Sequence, residues 1–252
     1  MNRLSERLLH IAAQVQEGCV LADVGCDHGY LPILLVQQGR MQQAIAMDIN
    51  EGPLQRATEH IRQEALGAYI QTRRSNGLEK LSPGEADAVI IAGMGGNLSI
   101  DILTRGEEVV RLLDQLILEP QSELAGVRAY LRNRDYLIEA EDLVLEDGKY
   151  YPILRVCPKK ASDVRFFSEE SGLAMEVLDA YGHRLLAAKH PVLLTYLEKE
   201  KSQCEQILAG LPADGGAGAG RIAVRRAEIM EKMARNQAAK AYITQESKQF
   251  GI

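Results

Sequence analysis

Between residues 21 and 33 the chain reads LADVGCDHGYLPI, with Asp23, Asp27, His28 and Tyr30 interleaved with Gly25 and Gly29. An apolar run that ends in an acid, passes through glycines and meets a proline suited to a first helical turn describes a strand entering a helix through a tight turn. Such a turn lets backbone approach a small molecule. A dinucleotide site calls for G-x-G-x-x-G, so that the helix N-terminus can hold a pyrophosphate. Here Asp27 stands where the middle glycine would be. A carboxylate repels a pyrophosphate and suits a ligand with positive charge. S-adenosylmethionine (SAM) carries a sulfonium and an ammonium and no phosphate, so the turn favours it over a nicotinamide cofactor.

Other residues extend the same reading. Asp48 ends the next apolar run, QAIAMDI, where an acid can accept from both ribose hydroxyls. In SNGLEKL, Asn76 can offer its amide to an adenine edge and Gly77 can permit the turn, although Asn-Gly is also a common turn pair. In AGMGG, Gly93, Met94 and Gly95 leave backbone bare at the mouth of such a site, or are glycine-rich for steric reasons alone. The candidate cofactor set is therefore Asp23, Gly25, Asp27, Asp48, Asn76, Gly77, Gly93, Met94 and Gly95.

The elements that must position these residues follow from the hydrophobic pattern. CVLADVG, QAIAMDI, AYIQTRR, ADAVIIAGMGG and DQLILEPQ read as buried strands, the fourth giving way to a loop at AGMGG. Between them LPILLVQQG, PLQRATEHIRQEALG (ending at Gly67), NLSIDILTRGEEVVRL and SELAGVRAYLRNRD read as helices. Alternating strand and helix implies a parallel doubly wound α/β sheet. YLIEAEDLVLEDGKYYPILRVCPK then reads as a hairpin turning at Asp-Gly. Beyond residue 160 the strands stop. SEESGLAMEVLDAYGHRLLAAKH reads as helix up to Pro191, and PVLLTYLEKEKSQCEQILAGL as a second helix. The latter has a seam of Leu193, Leu197, Cys204, Ile207, Leu208 and Leu211 that Glu200 interrupts. PADGGAGAG is a flexible linker, and RIAVRRAEIMEKMARNQAAKAYI a third helix with Ile222, Ile229 and Met233 on one side. The last two helices suggest an antiparallel coiled-coil hairpin. The expected domains are 1–160, an α/β ligand-binding domain, and 161–252, a helical C-terminal domain.

With 46% hydrophobic and 25% charged residues, the composition is that of an ordinary globular protein with a core. No apolar run approaches the ~18 residues needed to cross a membrane, and the amphipathic start MNRLSERLLHIAAQ is no export signal, so a cytoplasmic protein is expected. The 4 cysteines and 5 histidines show neither C-x-x-C nor metal-ligand spacing, so disulfides and metal are not expected. The net charge of −6 argues against a protein that coats nucleic acid over its whole surface. The charge is uneven, however: residues 1–160 carry 17 Lys+Arg against 23 Asp+Glu, and residues 201–252 carry 8 against 5. On the third C-terminal helix Arg221, Arg225, Lys232 and Arg235 fall within roughly 80° of arc, a basic stripe that can meet phosphate or remain a solvated face containing Glu228. Arg73 and Arg74, just before SNGL, can add charge near the mouth.

DVGCDHGYLP, SNGL, AGMGG, ILEPQ and EDGKYYPI, in this order and followed by a helical C-terminus, closely resemble the bacterial tRNA (adenine-N1)-methyltransferases acting on adenine 22. The turn departs from the family's usual Ser at Cys26 and Ala at Gly29, small residue for small. The resemblance spans nearly the whole chain, the tail beyond about residue 200 matching only in character. It implies a Rossmann-like class I methyltransferase sheet, SAM as methyl donor, tRNA as partner and a helical domain that contacts it. Adenine N1 has an in-plane lone pair and needs no base, so the site has to align N1 with the methyl–sulfur bond and tolerate a positive charge moving onto the base. Asp27 is the candidate for orientation and charge stabilisation, unless it only binds SAM. Tyr30 can stack on the target base or pack inward, and His28 can act directly or hold the turn. The other readings are a SAM-dependent methyltransferase with a protein or small-molecule acceptor, and a non-catalytic SAM-binding adaptor. No N-P-P-Y or D-P-P-Y string follows the fourth strand, which argues against methylation of an exocyclic amine. A monomer is expected, since the apolar seam of the hairpin is short.

Overall fold

A computed structural model describes residues 4–212 and 219–245. The chain forms two compact units, Met1–Asp163 and Val164–Ile252. In the first, α1 (Glu6–Gln14) precedes β1 (Gly18–Val24), α2 (Tyr30–Gln37), β2 (Met41–Asp48), α3 (Glu51–Gln63), β3 (Ile70–Arg74), β4 (Ala88–Met94), α4 (Gly96–Arg105), α5 (Glu107–Val110), β5 (Gln115–Pro120), α6 (Leu124–Asn133), β6 (Leu137–Glu146) and β7 (Lys149–Cys157). The strands make one sheet in the order β3-β2-β1-β4-β5-β7-β6, with β7 antiparallel to both neighbours and the first five strands parallel.

Apolar side chains leave these strands alternately to two faces. Ala22, Val24, Ile45, Met47, Val89, Ile91, Leu116 and Leu118 enter one buried cluster, and Leu21, Ala44, Ala46, Ile90 and Ile117 the other. That explains why the strands read as continuous apolar runs rather than alternating ones. The order reverses between β1 and β4, which opens a crevice beyond their carboxyl ends, where open α/β sheets take ligands. The hairpin forms as expected, turning at Asp147 (φ 48°) and Gly148 (φ 74°) in the left-handed pair that matches strand twist.

Several expected boundaries differ. The helix α3 ends before Gly67, because Ala65 already adopts φ 57° and closes it. The helix expected over 97–112 breaks at Gly106 into α4 and α5: a Cβ at 106 would lie 2.5 Å from Leu78 Cδ1, so the helix pauses where it presses on the β3–β4 loop. The fourth strand does not stop at AGMGG; Ala92, Gly93 and Met94 continue it with a bulge, and Gly96 opens α4.

The second unit contains α7 (Val164–Ser171), α8 (Met175–Tyr181), α9 (His183–Ala187), α10 (Pro191–Gly210) and α11 (Ala219–Thr244). The single helix expected up to Pro191 is broken at Gly172 (φ 70°) and at Gly182 (φ 83°), whose left-handed backbone no helix can continue. The linker's core, 213–218, lies outside the described residues. Glu200 does not interrupt the α10 seam by facing water; it is buried with Leu193, Leu197 and Cys204, while Ile207 is exposed. Its carboxylate accepts from Tyr181 Oη (2.6 Å), Asn236 Nδ2 (2.9 Å) and Lys232 Nζ (2.9 Å). Burial and the bond to Glu200 push the Tyr181 phenol well up from its ordinary pKa.

Candidate active site

The turn after β1 is strapped to the end of β2. Gly25 N–H and Cys26 N–H both donate to the Met47 carbonyl, at 2.8 and 2.9 Å. Gly25 holds φ 79°, and a Cβ there would lie 2.4 Å from Met94 Cε, so the β4 methionine rests on the bare turn. Two carboxylates converge behind it. Asp23 is buried in β1, and its pKa is pushed up to about 7, first by desolvation and then by Asp48. Asp48 ends β2 with Oδ1 accepting from Asn50 N–H at 2.8 Å, which fixes its carboxylate at the strand terminus. Burial, followed by the charges of Asp23 and Asp48, pushes the Cys26 thiol up, so it stays protonated and inert.

The loop after β3 folds back against the end of β2. Ser75 N–H donates to the Asp48 carbonyl (2.9 Å), and Ser75 Oγ donates to Gly77 O (2.8 Å), folding Asn76 and Gly77 back toward β2. Gly77 (φ 60°) packs on Ile102, and the Asn76 amide donates to Glu79 Oε1 at 2.8 Å. On the β4 side Gly93 has φ 75° and Gly95 is the N-cap of α4 with an ordinary φ of −63°. The steric constraint falls instead on Gly96, where a Cβ would lie 2.4 Å from the Ser122 carbonyl.

Asp27 projects into solvent from a left-handed backbone (φ 48°), paired with Arg56 Nη2 at 3.2 Å and His28 Nε2 at 3.6 Å. His28, Tyr30 and His60 form a triangle of near-parallel rings with centroids 5.3–5.5 Å apart, and His60 Nδ1 lies 3.0 Å from the His28 carbonyl. Arg56 and His60, one turn apart on α3, thus grip the turn that carries Asp27 and His28. Sequence reasoning missed both; their i, i+4 spacing was the available signal. It also missed Glu119 on β5, fully buried, whose Oε2 accepts from Gly93 N–H (2.8 Å) and Arg7 Nη1 (2.9 Å). Burial raises the Glu119 pKa, against the pull of Arg7 and the Gly93 bond. An acid inside the apolar string QLILEP was its signal.

The basic candidates divide. Arg73 is held by Glu85 at 2.6 and 2.9 Å and by the Lys80 carbonyl, whereas exposed Arg74 donates through Nε to the Ile49 carbonyl. On α11, Arg221 and Arg225 are exposed, the latter paired with Glu228 at 3.0 Å. Lys232 and Arg235 lie on the side that also buries Ile229, Asn236 and Ala239, and Lys232 bonds Glu200. Arg221 and Arg225 are thus exposed, whereas Lys232, also exposed, is committed to Glu200, and Arg235 is half-buried. Among the described residues no group of three or more His, Cys, Asp or Glu could hold a metal, and no helix is long and apolar enough to cross a membrane.

Residues 4–154 match the family model described as "Methyltransferase domain". The chain is 38% identical over 152 residues to the Bacillus subtilis tRNA (adenine(22)-N(1))-methyltransferase, an alignment covering 60% of this chain and 64% of that enzyme. The chain belongs to the tRNA (adenine(22)-N(1))-methyltransferase family. The crystal structure of the B. subtilis m1A22 tRNA methyltransferase superposes with a TM-score of 0.82 at 29% identity, covering 95% of this chain and 100% of that one. A second member, from M. capricolum, was solved with S-adenosyl-homocysteine, the natural cofactor product; it gives a TM-score of 0.79 at 27% identity over 95% of this chain and 99% of that one. The matched family region spans α1 to most of β7, and so contains every candidate site residue of the first unit.

Proposed function

We propose that this protein transfers a methyl group from SAM to N1 of an adenine in tRNA, with adenine 22 as the position. The observation that carries the reading is the Gly25 turn, strapped to β2 between buried Asp23 and terminal Asp48, with the Asp27 carboxylate standing in the turn that leads into α2. The residues present fit SAM: Asp48 suits the ribose hydroxyls, the Ser75–Gly77 fold suits the adenine, and Asp23 and Asp27 suit the cationic end. When bound, SAM supplies a methyl group on a positively charged sulfur.

The protein's part is positional and electrostatic. No residue needs to remove a proton, because the N1 lone pair is the nucleophile. Asp27, held by Arg56 and His28, keeps negative charge at the turn, and His28 and Tyr30 present a flat aromatic face to a base. An adenine within folded tRNA must be unstacked, at a cost of a few kcal/mol, which binding to phosphates has to offset. The second unit supplies this through Arg221 and Arg225, and Arg74 adds charge in the first. The protein acts as a monomer in the cytoplasm, where its tRNA substrate resides. Incubation with methyl-labelled SAM and unmodified bacterial tRNA, followed by nucleoside mass spectrometry, is expected to give labelled 1-methyladenosine. Label confined to protein, or none despite SAM binding, overturns the reading.

A further inference from the structure

The string ILEPQ contributes an acid that the reading above does not use. Glu119 is fully buried at the end of β5, opposite Ala92 of β4, beside the bulge that carries Gly93. One carboxylate oxygen is saturated by Gly93 N–H and Arg7 Nη1; the other, Oε1, is buried and has no partner among the described residues. A buried carboxylate oxygen without a donor is costly, and an N–H brought by a ligand would satisfy it. The neighbourhood is built to admit one. A Cβ at Gly93 would meet only Arg7 Nη1 (3.7 Å) and Gln121 Nε2 (3.8 Å), the ends of two flexible side chains and no backbone. Glu119 thus sits beside a glycine bordered by two flexible side chains, one of which, Arg7, it already holds, next to the strand end whose Met94 lies on the Gly25 turn.

We infer that Glu119 is the residue that recognises the target base, its Oε1 accepting a hydrogen bond from the exocyclic N6 amine of adenine once Arg7 and Gln121 swing aside. This inference rests on the adenine-N1 reading above. N6 is adjacent to N1, so one bond to it aligns the N1 lone pair with the methyl group. In the step itself the N1 lone pair forms the new N–C bond, the S–C bonding pair stays on sulfur, and no proton moves. The positive charge that arrives on the base is shared with N6, which makes the N6–H donor stronger as the reaction proceeds, and a fixed carboxylate there favours the transition state over the ground state. Guanine presents a carbonyl oxygen at the equivalent position and meets repulsion instead.

The test uses the full-length protein, the isosteric variant Glu119→Gln, and two tRNA transcripts: one with adenosine at the target position and one with purine riboside, which lacks only the N6 amine. Single-turnover rates are measured for all four combinations, with SAM dissociation constants and melting temperatures for both proteins. Expected is a loss of about 10- to 100-fold for either change alone, and little further loss when both are made, since both remove the same bond. SAM affinity should be unchanged. Losses that multiply in the doubly altered combination overturn the proposal and leave Glu119 a brace for Gly93. A loss confined to SAM affinity overturns it too, by assigning Oε1 to the cofactor's ammonium. If Glu119→Gln melts early, Gln121→Ala and Arg7→Lys replace it: both must still discriminate purine riboside from adenosine as wild type does, and loss of that discrimination overturns the assignment to Glu119. Wild-type protein that forms no 1-methyladenosine on the adenosine transcript defeats the underlying reading, an outcome separate from the others.

Discussion

Asp23 makes folding sensitive to pH and, in the proposed function, cofactor binding as well. Its folded-state pKa of about 7 lies above its ordinary value of 3.8, so the folded protein keeps a proton that the unfolded chain has already lost. The stability this provides is complete below about pH 4 and is lost as pH rises through 7, at up to about 1.4 kcal/mol per pH unit. Denaturant titrations between pH 4 and 8 should show this slope in the wild type and its absence in Asp23→Asn. A cation beside Asp23 favours the ionised form, so SAM affinity in the wild type should rise as pH climbs through 7, measured by calorimetry. Arg73 makes the opposite kind of prediction. Its guanidinium is committed to Glu85, holding that carboxyl below its ordinary pKa, so Arg73→Ala should cost up to about 1 kcal/mol of stability and leave the salt dependence of tRNA binding unaltered.

At the scale of elements, Gly96 joins α4 to the loop after β5. Replacing it with alanine forces a methyl group to 2.4 Å from the Ser122 carbonyl, and an overpacked junction of this kind costs roughly 1–3 kcal/mol, read as a lowered melting temperature. Gly95→Ala meets only Ser122 Oγ at 3.2 Å, with ordinary backbone, and should be milder. Strand existence was legible in the sequence because a parallel sheet buried on both faces leaves unbroken apolar runs. Helix breaks were less so: Ala65 gives no local signal for its left-handed conformation, and an isolated glycine in a helical pattern, as at Gly172 and Gly182, does not announce one. The tight turn after β1 was legible, since Asp23, Gly25 and Asp27 lie within one short stretch. Arg56, His60, Arg7 and Glu119 were not, because their partners arrive from 26 to 112 positions away in the chain. Arg73 was misjudged for the same reason: Glu85 claims it from across a loop.

For the molecule as a whole, the divided basic stripe gives a graded expectation. Replacing Arg221 and Arg225 together should reduce the slope of log affinity against log salt by roughly two units, one for each phosphate left unneutralised. Replacing Lys232 should leave that slope nearly intact and instead lower the melting temperature, because the ammonium partners buried Glu200. The bonds from Tyr181, Asn236 and Lys232 to that one carboxylate act as an indexing pin between helices. A slide of α11 along α10 by one turn would carry Asn236 and Lys232 about 5 Å past Glu200 and strand a buried charge. Insertions and deletions should therefore be tolerated on the free side of the pin, toward the loop that joins the two helices, and selected against between the pin and the packed end. The reach of the hairpin can then drift between lineages while its root stays in register.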